Sequence, residues 1–239
     1  INQKFSYMLM QFPFLENIDF IDFFSKTTKQ SLYLIELYEK LVKGLELLYN
    51  KKIVHHDLKM DNILIAANNY TPIIIDYGIS IDMRTVNKQS YNDIFYIYAP
   101  DYYPWCIELH IISYIVQHRI NERNDSPLTQ KELFGIIDLY TTNHYLQSFT
   151  SEFIQNYNKS LKHYVKPFIN ARPETVLNHL MKDYASWDLV AISIIFIKLI
   201  KLVYETKPMP KIMVSFLEIL LLNMSPNIKK RPLHKKTLK

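Results

Sequence analysis

Apolar residues recur along most of this chain at the spacing of an amphipathic helix. In the stretch "SLYLIELYEKLVKGLELLYN", leucines fall three or four positions apart and so share one helical face: Leu34, Leu37, Leu41, Leu45 and Leu48. The same spacing predicts further helices over residues 105–120, 129–145, 152–166 and 174–184. Thr129 and Glu132 have the spacing of a capping box, which would start the second of these.

A few short apolar runs have the length and the turn-like borders of strands instead. They are "SYMLMQ" at residues 6–11, "NILIA" at 62–66 and "PIIIDY" at 72–77. The most apolar run, residues 189–204, is shorter than the roughly 20 residues that a bilayer span needs and contains Lys198 and Lys201. We expect a buried core helix there, so the predicted fold class is mainly α with a few short β-strands and no membrane span.

The composition indicates a folded domain in a reducing compartment. Hydrophobic residues make up 49% of the 239 residues, which is enough for a substantial core. Cys106 is the only cysteine, so no disulfide forms within the chain and a cytoplasmic location is expected. The net charge of +5 comes from dispersed basic residues and from one basic run at 229–239, which is typical of a solvated tail. Specific nucleic-acid binding is therefore not expected.

Two neighbouring stretches concentrate polar side chains, "IVHHDLKMDNIL" at 53–64 and "IIIDYGIS" at 73–80. A loop carrying Asp57, Lys59 and Asn62, followed by a strand that ends at Asp76, would collect two carboxylates, an amide oxygen and an ammonium at one sheet edge. Mg²⁺ prefers oxygen ligands and takes one or two protein carboxylates together with substrate phosphates. Asn62 and Asp76 are therefore predicted to bind Mg²⁺. Asp57 would accept a hydroxyl proton, and Lys59 would offset charge on a transferred phosphoryl group.

The sequences "HHDLKMDN" and "DYG" resemble the catalytic loop and the Asp-Phe-Gly motif of eukaryotic-type protein kinases. The resemblance implies phosphoryl transfer from ATP to serine or threonine hydroxyls of a protein substrate, with ATP and Mg²⁺ as cofactors. It makes Asp57 the catalytic base and places Lys59 at the γ-phosphate, and Lys59 favours Ser/Thr over Tyr specificity. It also implies that His55 packs beneath the metal site and that Gly78 gives structural support.

Three later stretches extend the resemblance beyond the metal site. "YAPDYY" is similar to the Ala-Pro-Glu that closes the activation segment, with Asp101 in place of Glu. "SWDLVAIS" is similar to the start of the central buried helix, where Asp188 would hold the backbone of the catalytic loop. "SPNIKKRP" resembles the late loop that supplies Arg231. The resemblance implies a buried ion pair between Asp101 and Arg231.

The beginning of the chain, "YMLMQFPFLENIDFIDFF", resembles the fifth strand, hinge and following helix of a kinase. On this alignment Met10 and Gln11 contact the adenine of ATP, and Leu64 packs beneath it. Pro13 falls near a hinge position whose N–H would bond adenine, and proline has no N–H to donate. The resemblance thus covers residues 1–239 as the hinge and the large, C-terminal lobe of a kinase-like domain. We expect the small lobe upstream, absent from this chain.

The stretch between Asp101 and Asp188 is longer than kinases usually have there. We therefore predict a helical insertion at about residues 105–184, and substrate selection that differs from that of ordinary kinases. This layout is similar to the divergent kinases of large DNA viruses, for which host cytoplasm or virion are the expected locations.

Several positions depart from the kinase pattern. His56 replaces the usual Arg, so control by a phosphate on the activation segment is not expected. Tyr77 replaces Phe, which adds a hydroxyl that needs a partner. Near Ile94, where Ser/Thr kinases often carry a Thr that braces the base, this chain has no hydroxyl.

Two other functions stay open at this point. A small-molecule phosphotransferase of the aminoglycoside or choline kinase type shares the His-x-Asp-x4-Asn pattern and a later Asp. A pseudokinase would bind partners through the inserted helices and would transfer no phosphate. We also expect the 239 residues alone to be inactive, because the Gly-rich loop and the ATP-binding Lys of the small lobe are not among them.

Overall fold

The computed structural model describes residues 14, 16–26, 30–142, 146 and 149–232. Within these residues the helices are α1 (Phe20–Lys26), α2 (Gln30–Asn50), α3 (Tyr91–Ile94), α4 (Ile107–Ile115), α5 (Gln130–Thr141), α6 (Ser151–Val165), α7 (Pro173–Leu180), α8 (Trp187–Tyr204) and α9 (Lys211–Asn223). The strands are β1 (Asn17–Ile18), β2 (Ile53–Val54), β3 (Ile63–Ala66), β4 (Pro72–Ile74) and β5 (Ile81–Asp82). The predicted mainly helical fold with few short strands is confirmed. The strand expected at residues 6–11 lies outside the described residues.

Helix α8 forms the centre of the core, and α2 packs along it. Almost every apolar side chain of α8 is buried, which explains why its sequence shows little amphipathic pattern. Four of the five predicted face leucines of α2 are buried against it, and Leu48 is half-buried. Tyr38 of α2 and Asn223 of α9 hydrogen-bond to Ser193 of α8, at 3.0 and 3.1 Å. These bonds join the three central helices through buried polar side chains.

Two small antiparallel sheets lie beside this core. Strand β3 pairs with β1 and β4, and β2 pairs with β5. In the β3–β4 hairpin, Ile63 is opposite Ile74, so the residues just before β3 and just after β4 lie at the same end. The Ile75 N–H continues the ladder by donating to the Asn62 carbonyl at 3.0 Å. The hairpin therefore brings the loop after β2 next to Asp76.

Helices α4 to α7 occupy the stretch predicted as an insertion. The capping box at the start of α5 is confirmed, since Thr129 accepts from the Glu132 N–H and Glu132 accepts from the Thr129 N–H. Helix α4 continues into a π-helical turn at Val116–Ile120, and α7 begins with Pro173 at its first turn. The assignment of this stretch as an insertion stays a prediction.

No helix in the described part of the chain is both long and apolar enough to cross a bilayer. Helix α8 comes nearest in composition, but it spans 18 residues and carries Lys198 and Lys201. Its apolar side chains instead form the protein core.

Candidate active site

The loop between β2 and β3 is fixed to the core by Asp188 of α8. The carboxylate of Asp188 accepts hydrogen bonds from the backbone N–H groups of His55 at 2.7 Å and His56 at 3.1 Å. Burial raises the pKa of Asp188, although these two donors act in the opposite direction. Two backbone bonds to one buried side chain hold the start of the loop in a single position on α8.

The ring of His55 joins the loop to the strand that precedes Asp76. It is fully buried, and its Nε2 lies 2.9 Å from the Ile75 carbonyl oxygen. Its Nδ1 accepts a hydrogen bond from the Asp57 N–H at 3.3 Å, which places the ring proton on Nε2. The His55 ring therefore bridges the two backbone segments that carry Asp57 and Asp76.

His56 points away from the loop and into the core. Its φ of 71° lies in the left-handed region, which costs about 1–3 kcal/mol for a residue with a side chain. The imidazole stacks on Trp105 with ring centroids 4.9 Å apart, and the Trp105 indole N–H donates to the His56 carbonyl at 2.8 Å. Burial lowers the pKa of His56 to about 4, so its ring is neutral near pH 7 and offers no positive charge to a phosphate.

Asp57 is the centre of the loop's polar cluster. Its Oδ2 accepts hydrogen bonds from Lys59 Nζ at 3.0 Å and from Asn62 Nδ2 at 2.9 Å, and its backbone oxygen accepts from the same Nδ2 at 2.8 Å. Its Oδ1 accepts from the Tyr102 hydroxyl at 2.5 Å. Burial by itself would raise the pKa of Asp57, but Tyr102, Lys59 and Asn62 lower it overall. The carboxylate is therefore ionised at neutral pH.

The hydrogen bonds leave one acceptor position on Asp57. A carboxylate offers about four lone-pair positions, and the three side-chain donors fill three of them. The remaining position is on Oδ1, the oxygen that also accepts from Tyr102. A further hydroxyl that donates to Asp57 would thus bind beside Tyr102.

The sequence did not indicate Tyr102. The kinase pattern places a bracing hydroxyl near Ile94, where this chain has none, and the hydroxyl that donates to Asp57 comes from Tyr102 instead. Burial raises the pKa of Tyr102, and the hydrogen bond to Asp57 raises it further, so the phenol stays a donor. The chain has 18 tyrosines, and no spacing rule distinguishes the one that returns to the loop.

Asp76 lies at the exposed end of the hairpin with a φ of 62°, so its backbone also adopts the left-handed conformation. Its Oδ1 accepts from the Gly78 N–H at 3.3 Å. A Cβ at position 78 would lie only 3.2 Å from this oxygen, so glycine leaves room for the carboxylate. Asp76 is joined to Asn62 through the backbone bond of Ile75 described above.

The donor atoms at this end of the hairpin fit Mg²⁺. Asn62 uses Nδ2 for its bonds to Asp57, which leaves its amide oxygen as the atom that would ligate a cation. The exposed carboxylate of Asp76 supplies a second oxygen. Within the described ranges, no group of three or more His, Cys, Asp or Glu is arranged to hold a metal ion. A cation bound here would thus draw its other ligands from phosphate and water, as Mg²⁺ usually does.

The predicted ion pair between Asp101 and Arg231 is wrong, because a different acidic residue pairs with Arg231. Arg231 pairs with Glu108 instead, with Nη2–Oε1 at 2.9 Å and Nη1–Oε2 at 3.1 Å. The two side chains are 3% and 0% exposed, whereas Asp101 is in an exposed turn. A buried carboxylate must be paired and an exposed one need not be, which explains the difference. Glu108 could have been found in the sequence as a single acid within the apolar run "WCIELHII".

The remaining predicted site residues concern the adenine. Leu64 is half-buried in β3, where it is opposite Ile73. Met10, Gln11 and Pro13 lie outside the described residues. The contacts of all these residues with a nucleotide stay predictions.

Comparisons with known proteins agree with the kinase-like loop. A family model described as "Protein kinase domain" matches residues 1–103. The serine/threonine-protein kinase CAK1 of Saccharomyces cerevisiae is 36% identical over 62 residues, which are 24% of this chain and 17% of that protein. Mitogen-activated protein kinase kinase kinase 8 of Rattus norvegicus is 34% identical over 50 residues, or 21% of this chain and 10% of that protein.

A third relative is the membrane-associated tyrosine- and threonine-specific cdc2-inhibitory kinase of Drosophila melanogaster. It is 36% identical over 48 residues, which are 20% of this chain and 9% of that protein. The chain thus spans less than a fifth of the length of each of these relatives. The family match and the three relatives together support a protein kinase.

Proposed function

We propose that this protein is an ATP- and Mg²⁺-dependent protein kinase that phosphorylates serine or threonine hydroxyls. The observation that supports this most strongly is the arrangement around Asp57, an ionised carboxylate held by Lys59 and Asn62 with one acceptor position left. Phosphoryl transfer needs little covalent chemistry from the protein, because positioning and charge stabilisation supply most of the catalysis. Asp57 as a fixed base would supply the positioning. The Lys59 ammonium and the oxygens of Asn62 and Asp76 as metal ligands would supply the charge stabilisation.

In this proposal Asp57 orients the acceptor hydroxyl and takes its proton on Oδ1. A positioned base of this kind contributes about 10²- to 10⁴-fold to the rate. Lys59 Nζ lies 3.0 Å from Asp57 Oδ2. From there it would offset negative charge on the transferred phosphoryl group. Mg²⁺ held by Asn62 and Asp76 would neutralise charge on the ATP phosphates. Asp188 and His55 keep the loop and the hairpin end at a fixed separation.

The choice of a Ser/Thr acceptor is supported by Lys59, which follows Asp57 by two positions as in the Ser/Thr kinase pattern. The printed names of the relatives include both a serine/threonine kinase and a tyrosine- and threonine-specific kinase. The acceptor therefore needs a direct test.

That test measures phosphate transfer from ATP in the presence of Mg²⁺ by the natural full-length protein. Three acceptor sets are compared: peptide libraries with a central serine or threonine, the same libraries with tyrosine, and a panel of amino-sugars. We expect transfer to the serine and threonine libraries. Transfer to amino-sugars alone would show a small-molecule phosphotransferase, and ATP that is never consumed with any acceptor would favour a scaffold role.

A further inference from the structure

A groove lies between α6, α7 and the short 3-10 turn at Ile228–Lys230. It consists of two adjoining cavities of about 710 and 570 Å³, both bordered by Tyr164, Pro167 and Asn227. None of the side chains around Asp57 or Asp76 lines it. We call it the α6–α7 groove.

The inner wall of the α6–α7 groove is apolar. Phe168 and Val176 are 5% and 1% exposed and form its base, and Ile228 closes one side. Tyr164 borders both cavities, and its buried hydroxyl has no hydrogen-bond partner among the described residues. An apolar side chain seated here would be removed from water, which favours binding.

The rim of the α6–α7 groove is basic. Its charged side chains include four exposed lysines: Lys159, Lys182, Lys229 and Lys230. In the part of the chain that the structure describes, none of the four forms an ion pair. His163 and His179 also line the groove. Asp183 is the single acid among the described residues that line the groove, against these four lysines. An apolar wall with an unpaired basic rim is complementary to an apolar anchor between acidic residues.

We propose that the α6–α7 groove binds an acidic peptide segment of a protein partner. One aromatic or large aliphatic side chain of that segment rests against Phe168 and Val176. Its flanking carboxylates face the lysines of the rim, and a backbone or side-chain acceptor of the peptide is available to the Tyr164 hydroxyl. The proposal concerns binding only and does not depend on the proposed phosphotransfer activity.

Charge decides against the other occupants. Residues 233–239 of this chain contain three lysines and no acid, so the rim would repel them. A second copy of the chain brings a net charge of +5 to the same basic surface. A small free anion, or a nucleic acid bound through its phosphates, would leave the apolar wall uncovered.

The test uses the full chain and a labelled synthetic peptide in which one phenylalanine is flanked on both sides by glutamates, and it measures binding by fluorescence anisotropy. We expect saturable binding that weakens as salt is raised. Replacing the phenylalanine by alanine in the peptide should weaken binding at least about fivefold. The variant Lys182→Glu/Lys229→Glu should lose at least about tenfold in affinity.

The matched control is Lys40→Glu/Lys211→Glu, which makes the same change in net charge at two exposed lysines of α2 and α9. It should bind the peptide within about twofold of the natural chain. The proposal is overturned if both double variants lose the same amount of peptide affinity or if the natural chain does not bind the peptide. It is also overturned if the alanine peptide binds as tightly as the phenylalanine peptide.

Three further results would identify a different occupant and also overturn it. The first is at least tenfold tighter peptide binding by a chain that ends at Pro232, which would show that residues 233–239 fill the groove. The second is a concentration-dependent dimer in sedimentation that Lys182→Glu/Lys229→Glu abolishes. The third is displacement of the peptide by single-stranded RNA at a lower concentration than by unlabelled peptide.

Discussion

The Tyr102 hydroxyl donates a 2.5 Å hydrogen bond to Oδ1 of Asp57 and so connects the segment before α4 to the proposed base. The same segment leads into α4, where Glu108 is paired with Arg231 from beyond α9. Trp105 lies between Tyr102 and Glu108 in the chain, and its indole N–H donates to the His56 carbonyl. Two side chains of the segment before α4 therefore contact the loop that carries Asp57, and one of them binds Asp57 itself.

Removing the Tyr102 hydroxyl should lower the turnover rate more than it changes substrate affinity. In Tyr102→Phe, Asp57 keeps Lys59 and Asn62 but loses the donor on Oδ1, so the carboxylate is less well oriented. We expect kcat to fall several-fold with KM nearly unchanged, and the free energy of unfolding to fall by about 1–2 kcal/mol. Steady-state kinetics and urea unfolding measure both.

Tyr96→Phe is the matched control. Tyr96 is 57% exposed, so this substitution removes the same hydroxyl group from the protein surface. It should leave kcat and stability close to those of the natural protein. An increase of kcat in Tyr102→Phe would contradict the positioning role, since it would mean that the phenol competes with the acceptor hydroxyl.

The buried ion pair should dominate the stability of the α4 end. Glu108→Gln leaves the Arg231 guanidinium buried without its counter-charge, and breaking such a pair typically costs about 3–5 kcal/mol. The midpoint of urea unfolding should fall accordingly. Asp101→Asn changes the exposed acid that the sequence pointed to, and it should cost less than about 0.5 kcal/mol. Similar losses in the two variants would argue against the Glu108 pairing.

Stability should fall as the solution is made acidic between pH 6.5 and 4. Burial lowers the pKa of both His56 and His110 from 6.5 to about 4. The unfolded chain therefore takes up these protons at a higher pH than the folded chain does, so the stabilisation is complete above pH 6.5 and is lost on the way to 4. Each histidine contributes about 3 kcal/mol to this loss.

The variant His110→Gln should reduce the dependence of the unfolding free energy on pH across this interval. Thermal or urea unfolding at a series of pH values measures it. His163→Gln removes one imidazole from the surface of α6 and serves as the control. An unchanged pH slope in His110→Gln would mean that this ring titrates alike in the folded and unfolded chains.

Adding a methyl group at Gly78 should weaken the use of Mg²⁺. A Cβ at this position lies 3.2 Å from Asp76 Oδ1, so Gly78→Ala shifts the carboxylate by a few tenths of an ångström. We expect the Mg²⁺ concentration for half-maximal activity to rise several-fold, with a melting temperature close to the natural one. The control is Gly135→Ala within α5, where no heavy atom lies within 4 Å of the new Cβ. It should retain its Mg²⁺ dependence and gain about 0.5–1 kcal/mol of stability.

The sequence predicted those features that depend on residues close together in the chain. Helical periodicity identified α2, and the Thr129–Glu132 spacing identified the start of α5, because both are set by local backbone geometry. The cluster of Asp57, Lys59 and Asn62 was predictable for the same reason, since one loop carries all three.

Features that depend on the packing of distant segments could not be predicted from local sequence patterns. Tyr102 approaches Asp57 only after the segment beyond β5 has folded back, and nothing local marks it. The partner of Arg231 was sought by motif likeness at Asp101, whereas burial in α4 determines that it is Glu108. The α6–α7 groove likewise appears only when α6, α7 and the turn after α9 come together.

The most direct test of the account is the rate of phosphate transfer in a single turnover by the full-length protein and its Asp57→Asn variant. Asn keeps the size and hydrogen-bonding oxygen of the side chain but cannot take up the proton, so the rate should fall by at least about 10²-fold. Asp93→Asn, an exposed acid of α3, is the matched control and should keep the natural rate. A transfer rate in Asp57→Asn equal to that of Asp93→Asn would contradict the central claim that Asp57 is the base.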